Sequence, residues 1–573
     1  MPVRGTSEAS STALGTARLK AILGHALERM RVPEGCAAVL EGSIAEGFGN
    51  ITSDIDFLLL DDSEETYAGT PTVLFVAGRR VEVRIRSTRE AADDRAALWR
   101  LGAGGEGAAR RIPDDLLNRC QRLARAVPLR GESLVAAVQA TLPADELERI
   151  ASRAFAWRSR QRGRLAVALL ALGQHESAAA WAEAALTFGA KAWIALRGET
   201  YVDAKWLSEQ LRRVRGRGDR EDALVVDRCR VLLPRASARS SPQAYVEEVV
   251  ALLPSLGVAG CGLEPERVTF RRRPGVTTWP IDGRVHVLRD GRDAFVLGDA
   301  AARAWRGVVF GRPLTQLPVL TKPGSSGRDE PAEGDLMAAF HRLGLVRLSW
   351  RGGGTIAASP IVTPPPGAAR PPLTLCGATP EDGGAEISLV PLPARRFAAS
   401  GMSLVWANVM VENAREDAIG ALDQGQWGVL SEVVRRMLRW ASLSLLNAYG
   451  VDPLPAHEEA CAQLAGLGGL DRGLAADAIA LERRLAIRGE HDARPTLAAV
   501  EELVVRVRRE IRAAAFPSSF ADADAWRTTL ETFYDWVRIG AHLDSDFPLD
   551  DLRDTLLSID RRAADDSTRS VQY

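Results

Sequence analysis

The sequence predicts an α+β protein of several domains, and three observations carry that prediction. A Gly/Ser-containing turn lies between two apolar, strand-like runs near the N-terminus, in residues 37–60. Long Ala/Leu stretches at helical spacing fill residues 116–260 and 385–562. A segment rich in proline and glycine, 351–384, parts the two halves. At 573 residues the chain has room for three to four domains. The expected units are a small mixed sheet flanked by helices at 15–115, a helical unit at 116–260, a strand-and-helix unit at 264–350, the linker at 351–384, and a second helical unit at 385–562.

In chain order, a helix is expected over 17–30, a strand over 37–40, and a second strand through the apolar run 57–60. Two more strands follow, at 73–77 and 80–85. Alternation on a strand sends residues i and i+2 to one face, so Asp54 and Asp56 point together while Ile55 and Phe57 face the core. Two carboxylates on one face bind cations or repel each other. Mg²⁺ is the natural guest, because it takes hard oxygen ligands and is held by one or two carboxylates plus substrate phosphates. The preceding Gly42-Ser43 turn can place backbone N–H groups against a triphosphate. In the alternating segment 80–85, Glu82 is a candidate third carboxylate, with Val81, Val83 and Ile85 on the opposite face; an ordinary solvent-facing strand is the competing reading.

Gly42, Ser43, Ala45, Gly47, Ser53, Asp54, Ile55 and Asp56 fill every fixed position of the pattern G-S-x-A-x-G-x5-S-D-I-D. On these residues the chain resembles the DNA polymerase β-type nucleotidyltransferase superfamily, in its minimal and antibiotic-modifying branch. The resemblance implies Mg²⁺-dependent transfer of a nucleoside monophosphate, AMP from ATP foremost, onto an acceptor with release of pyrophosphate. It implies two Mg²⁺ ions on Asp54, Asp56 and Glu82, with Gly42 and Ser43 steadying the nucleotide. Such enzymes carry a helical domain behind the catalytic one, and residues 197–207 resemble their Y-x-x-x-K-W segment. Tyr201 and Lys205, four residues apart, are thereby expected on one helix face toward the nucleotide phosphates. An exposed lysine beside a core tryptophan is the alternative.

Between 264 and 350, β-like runs at 267–270, 284–288 and 294–297 precede helical patterns at 299–305, 313–317 and 336–343 and a closing strand. The Leu297, Ala301, Trp305 spacing and the Leu343-Gly344-Leu345-Val346 end resemble the PqqD-like winged-helix domain of ribosomal-peptide biosynthesis. That resemblance implies a leader peptide bound by strand addition to a sheet edge; a purely structural winged helix stays open beside it. Beyond the linker, 429–464 reads as a degenerate copy of 180–211, each an Ala/Leu helix, a Gly turn (Gly198; Gly450) and a second helix ending in Gln-Leu. No Gly-Ser…Asp-x-Asp precedes the second copy, so it is expected to be non-catalytic.

Composition narrows the functional classes. With 73 basic against 74 acidic side chains, the net charge of −1 argues against nucleic acid as main partner. No apolar run is long enough to span a membrane, and the N-terminus lacks the apolar core of a signal peptide. The six cysteines form no C-x-x-C, and the seven histidines no H-x-x-x-H, so neither structural nor catalytic zinc is indicated. Arg488 and His491 stand too close for the R-x4-6-H ribonuclease motif. A reducing cytoplasm is the expected home. Three functions remain: nucleotidylation of a ribosomal peptide or protein, nucleotidylation of a small antibiotic or metabolite, and a non-catalytic regulatory or interaction role.

Overall fold

The computed structural model describes residues 15–30, 32–50, 52–67, 71–104, 106–233, 241–281, 284–289, 293–308, 333–356, 394–451, 453–511 and 522–543. The architecture is α+β. Helix α1 (Thr16–Glu28) precedes β1 (Ala37–Glu41), the one-turn α2 (Gly42–Ala45), β2 (Ile55–Asp61), β3 (Thr72–Val76) and β4 (Arg79–Ser87). Helices α3 (Thr88–Ala103), α4 (Glu106–Ala109) and α5 (Asp114–Arg125) lead to β5 (Val127–Arg130). The five strands form one mixed sheet in the order β3-β4-β2-β1-β5, in which β2 and β4 run parallel and the other neighbours antiparallel. This sheet runs past the boundary expected at 115, because β5 completes its edge.

The apolar run of β2 is buried on both faces, as expected of a strand covered by helices on two sides. Ile55, Phe57 and Leu59 pack with Val81, Val83 and the α1 residues Leu19, Ile22 and Leu23. Leu58 and Leu60 pack on the other side with Leu98 of α3, Leu117 of α5, and Ile150 and Phe155 of the next long helix. That helix, α7 (Ala144–Ala171), follows α6 (Glu132–Ala140) and pairs along its length with α8 (His175–Ala195). Its N-terminal half supports the sheet, while Leu165 to Leu169 join a second core with α8, α9 (Leu207–Arg217), α10 (Arg220–Leu232) and α11 (Pro242–Leu252).

The same second core takes in the strand-and-helix region. There β6 (Val268–Arg272), β10 (Val346–Trp350) and β11 (Gly354–Thr355) form one sheet. A second sheet is the meander β7 (Val276–Ile281), β8 (Arg284–Arg289) and β9 (Asp293–Leu297). Helices α12 (Asp299–Gly307) and α13 (Glu333–Arg342) meet through Trp305, fully buried and edge-on to Phe340 at 5.3 Å. The strands expected at 267–270, 284–288 and 294–297 and the closing strand are present, and β7 adds one that the sequence did not suggest. The helical pattern at 313–317, most of the linker and the polar end at 563–573 lie outside the described residues. The first residues assigned to the linker, 351–356, instead close the β10–β11 hairpin, since Arg351, Gly352 and Gly353 make a tight turn there.

The remaining helices are α14 (Ala394–Asp423), α15 (Trp427–Ala448), α16 (Ala460–Gln463), α17 (Arg472–Arg484), α18 (Glu490–Glu510) and α19 (Ala523–Leu543). The long pair α14/α15 is built like α7/α8. Gly173 and Gly425 take left-handed φ values of +75° and +62° between the two helices of each pair, and Gln174 and Gln426 precede the second helix with nearly equal backbone angles. After α8 and α15 the chain again turns alike. Gly198 (φ +81°) and Gly450 (φ +70°) lead to single 3-10 turns at Ala204–Trp206 and His457–Glu459. The two halves also dock reciprocally: Trp181 of α8 donates to Glu459 at 2.9 Å, and Arg436 of α15 donates to Asp203 at 3.0 Å. Among the described residues no helix is long and apolar enough to cross a membrane.

Candidate active site

Strand pairing alone assembles an acidic row at one end of the sheet. In the parallel β2–β4 register Asp56 stands opposite Glu82, and across the antiparallel β1–β2 pair it stands opposite Glu41. Asp54, just ahead of β2, joins this group. Ile55 and Phe57 are buried as the alternation requires, at 0% and 1% exposure. Three arginines interleave with the carboxylates. Arg80 pairs with Asp54; Arg122 reaches Asp56 at 3.6 Å and Glu41 at 3.4 Å; Arg84 reaches Glu41 at 3.5 Å and Glu82 at 3.6 Å.

Despite these cations Asp54, Asp56 and Glu82 are held on the proton-retaining side. Burial raises the pKa of Asp54 and of Asp56, with Arg80 opposing it at the first and Arg122 at the second. Glu82 is pushed up to about 7, by burial first and then by the neighbouring Asp56 and Asp54 charges. A site that so resists negative charge gains most from a bound divalent cation. It also has a consequence for stability. A carboxyl whose folded pKa is raised contributes stability that is fully present below its unfolded value of about 4.5 and lost as pH rises through about 7. In chelator, the wild-type melting temperature is therefore expected to fall between pH 5 and pH 8, and Glu82→Gln to flatten that fall; thermal melts of the two proteins across the range check it.

The turn that carries Gly42 and Ser43 is shaped around Asp56. Gly42 has φ +77°, and a Cβ there would collide with the Asp56 carboxylate, so glycine is required both by backbone and by space. The Ser43 carbonyl accepts from the Phe48 and Gly49 amides at 2.9 and 3.1 Å, which closes the loop back toward β2. Its far end is set by Asn50, whose Oδ1 accepts from the Thr52 amide and the Ser53 hydroxyl at 3.1 Å each. Asp54 is thus presented from a hydrogen-bonded turn rather than a free loop.

Tyr201 and Lys205 are both brought to this neighbourhood, but not as expected. They do not share a helix face: Tyr201 lies in non-helical chain after α8, and Lys205 in the single turn Ala204–Trp206. The segment is pinned by Lys191, a buried amine that donates to the carbonyls of Tyr201 and Asp203 at 2.8 and 2.9 Å, and burial lowers its pKa to about 7. Tyr201 is core, at 4% exposure, packed with Phe48 at 5.6 Å between ring centroids. Phe48 in turn lies between Trp206, stacked at 5.4 Å, and the Arg213 guanidinium at 3.8 Å. Lys205 is engaged, its ammonium 2.7 Å from Asp417.

Asp417 belongs to α14, and this is the part that sequence reasoning missed. Helix α14 lies along the acidic row: Asn413 accepts from Arg80 at 3.4 Å, and Glu416 stands 3.8 Å from Arg80. The charges of Glu416 and Asp417 act on the same group of ionisable side chains as Asp54. Gly420 allows this approach, because a Cβ there would collide with Thr52 and Asn50. Beyond the helix, Gln426 accepts from Asn50 at 3.3 Å. Gly420→Val is expected to push α14 off the turn before Asp54 and to destabilise the chain by about 1–3 kcal/mol, measurable by denaturant titration.

Among the described residues no three carboxylates, imidazoles or thiolates gather around one point as they would around a metal ion. The donor set nevertheless fits Mg²⁺: it is all oxygen, it is partly desolvated, and Gly42, lacking a side chain, lets the Asp56 carboxylate pack against the turn. Asp54, Asp56 and Glu82 would hold the ion, with Arg80 leaving Asp54. The sequence matches no protein-family model and no curated protein.

Proposed function

We propose that the chain is a Mg²⁺-dependent nucleotidyltransferase of the cytoplasm that moves a nucleoside monophosphate, AMP from ATP foremost, onto a ribosomal peptide or protein. One observation carries the reading: Asp54, Asp56 and Glu82 stand together at the end of the parallel β2–β4 pair, against the Gly42-Ser43 turn. In this account the sheet unit is the catalytic domain, with α6 to α11 behind it, and α14 and α15 closing the cleft from the C-terminal helical domain. The region 264–350 is the PqqD-like domain, where the acceptor's leader adds a strand to an open sheet edge.

Bound Mg²⁺ would supply charge neutralisation at the phosphates and a lowered pKa for the acceptor hydroxyl. The chain's own residues do the rest. Gly42 and Ser43 orient the triphosphate through the backbone, and Glu82 or a water beside it takes the acceptor's proton. Lys205 neutralises phosphate charge once it leaves Asp417. The enclosure of Asp54 by Arg80 and α14 favours a second reading, a small antibiotic or metabolite as acceptor.

The test offers purified protein each α-labelled nucleoside triphosphate with Mg²⁺, host lysate and any short peptide encoded beside it. Label on a peptide or protein that requires Asp56 is the expected result. Label on a small molecule supports the second reading. Absence of any Asp56-dependent label would contradict both and favour a non-catalytic role.

A further inference from the structure

A cleft of about 700 Å³ opens at the seam between the two helical halves, bounded by α9 and α10 on one side and the start of α15 on the other. Its floor is apolar, from Leu207, Leu211, Leu233 and Ile487. The half-buried indole of Trp427 forms a wall. Gly428 lets α15 come down onto Ser208, since a Cβ at Gly428 would meet the Ser208 side chain. The Ser208 hydroxyl is buried there and has no hydrogen-bond partner among the described residues.

The cleft carries more basic than acidic side chains, Lys205, Arg212, Arg230, Arg435 and Arg488 against Glu209 and Glu432. Arg212 and Arg435 line the cleft, but both are engaged by acids, Glu209 at 2.8 Å for the first and Glu183 at 2.8 Å for the second. Arg230 and Arg488 also line it, and among the described residues neither has a carboxylate within ion-pair distance. Two guanidinium groups outside any ion pair among the described residues thus line the cleft, Arg230 near enough to Asp227 to act on its charge, beside an apolar floor, an aromatic wall and an unpaired hydroxyl. That combination matches one class of ligand: the ring stacks and is desolvated, while the anionic group takes the guanidinium donors and the hydroxyl.

We infer that this cleft is a binding site for a small organic anion bearing an aromatic ring, next to the acidic row at Asp54 and Asp56, with Lys205 lining the cleft and pairing with Asp417 on the side of that row. The two sites have opposite chemistry: a row of carboxylates takes a cation and its phosphates, whereas this cleft takes the anion directly. The inference does not rest on the nucleotidyltransferase reading, and its test reads binding alone.

Anilinonaphthalene sulfonate, an aromatic anion whose emission rises on desolvation, is titrated into the full-length protein, beside uncharged N-phenyl naphthylamine. Arg230→Glu/Arg488→Glu alters only exposed rim positions and is expected to weaken the sulfonate by about tenfold or more while leaving the neutral probe unchanged. Trp427→Ala is expected to weaken both probes. Indole acetate and AMP, added as competitors, distinguish a carboxylate from a phosphate as the preferred anionic group, and displacement by either supports the site. Unchanged sulfonate affinity in the charge-reversed protein, equal weakening of both probes by it, or displacement by neither competitor would overturn the inference.

Discussion

Asp56→Asn is expected to abolish the proposed nucleotide transfer, by about 10³-fold or more, and to leave the fold intact. Both halves of that expectation come from the same geometry. Asp56 is opposite Glu82 on one side and Glu41 on the other, so it is the carboxylate with acids on both neighbouring strands. Burial disfavours its charge even with Arg122 at 3.6 Å. An asparagine of the same shape removes that unfavourable charge, and Arg122 keeps Glu41 as partner at 3.4 Å. The melting temperature in chelator is therefore expected to hold or rise as activity disappears, the pattern of a site that trades stability for function. Paired measurements of label transfer and thermal melting on one preparation check it; activity lost together with the fold would show that Asp56 is structural.

The largest effect on stability is expected far from that row. Arg435 of α15 pairs with Glu183 of α8 at 2.8 Å, and both side chains are more than nine-tenths buried. It also donates to the Leu485 carbonyl at 3.2 Å, so one guanidinium joins three segments of the two helical halves. Removing one member of such a pair strands the other charge in the interior. Arg435→Met is expected to destabilise the protein by about 3–5 kcal/mol. The double variant Arg435→Met/Glu183→Leu, which leaves no buried charge of that pair and only the one-third-exposed Glu432 without its arginine, is expected to recover most of that loss. Denaturant titrations of the single and double variants form the cycle that decides it; additive losses would show that the two residues do not interact.

What the sequence made legible was local. The eight-position signature, the alternation through Ile55 and Phe57, and the segment 80–85 each report on chain within a few residues of itself, and each lies where the pattern put it. The helix-turn-helix likeness of 180–211 to 429–464 was visible because both hairpins obey one set of turn rules, with glycine at the left-handed positions. Lys205 and Tyr201 were misjudged on local grounds. Their spacing of four suits a helix, but the buried Lys191 amine holds that segment in non-helical form by taking the Tyr201 and Asp203 carbonyls. The contribution of α14 was not legible at all. Asn413, Glu416 and Asp417 belong to no motif and lie on a long helix. Only the fit of Gly420 against Thr52 and Asn50, residues more than 360 positions away, turns those side chains toward Asp54. A β-sheet edge has the same difficulty: β5 joins the sheet through a pairing with β1 that nothing in its four residues announces.

The central claim is that Asp54, Asp56 and Glu82 form a divalent-cation site that nucleotide completes. It is tested most directly without knowledge of the acceptor, by titrating Mn²⁺ into the full-length protein and following free Mn²⁺ by electron paramagnetic resonance, with and without a non-hydrolysable ATP analogue. Beyond the Mn²⁺ taken by the analogue alone, the account predicts weak uptake by the protein, stronger uptake when the analogue is present, and loss of both in Asp56→Asn. Uptake that is indifferent to the analogue, or identical in Asp56→Asn, would contradict it.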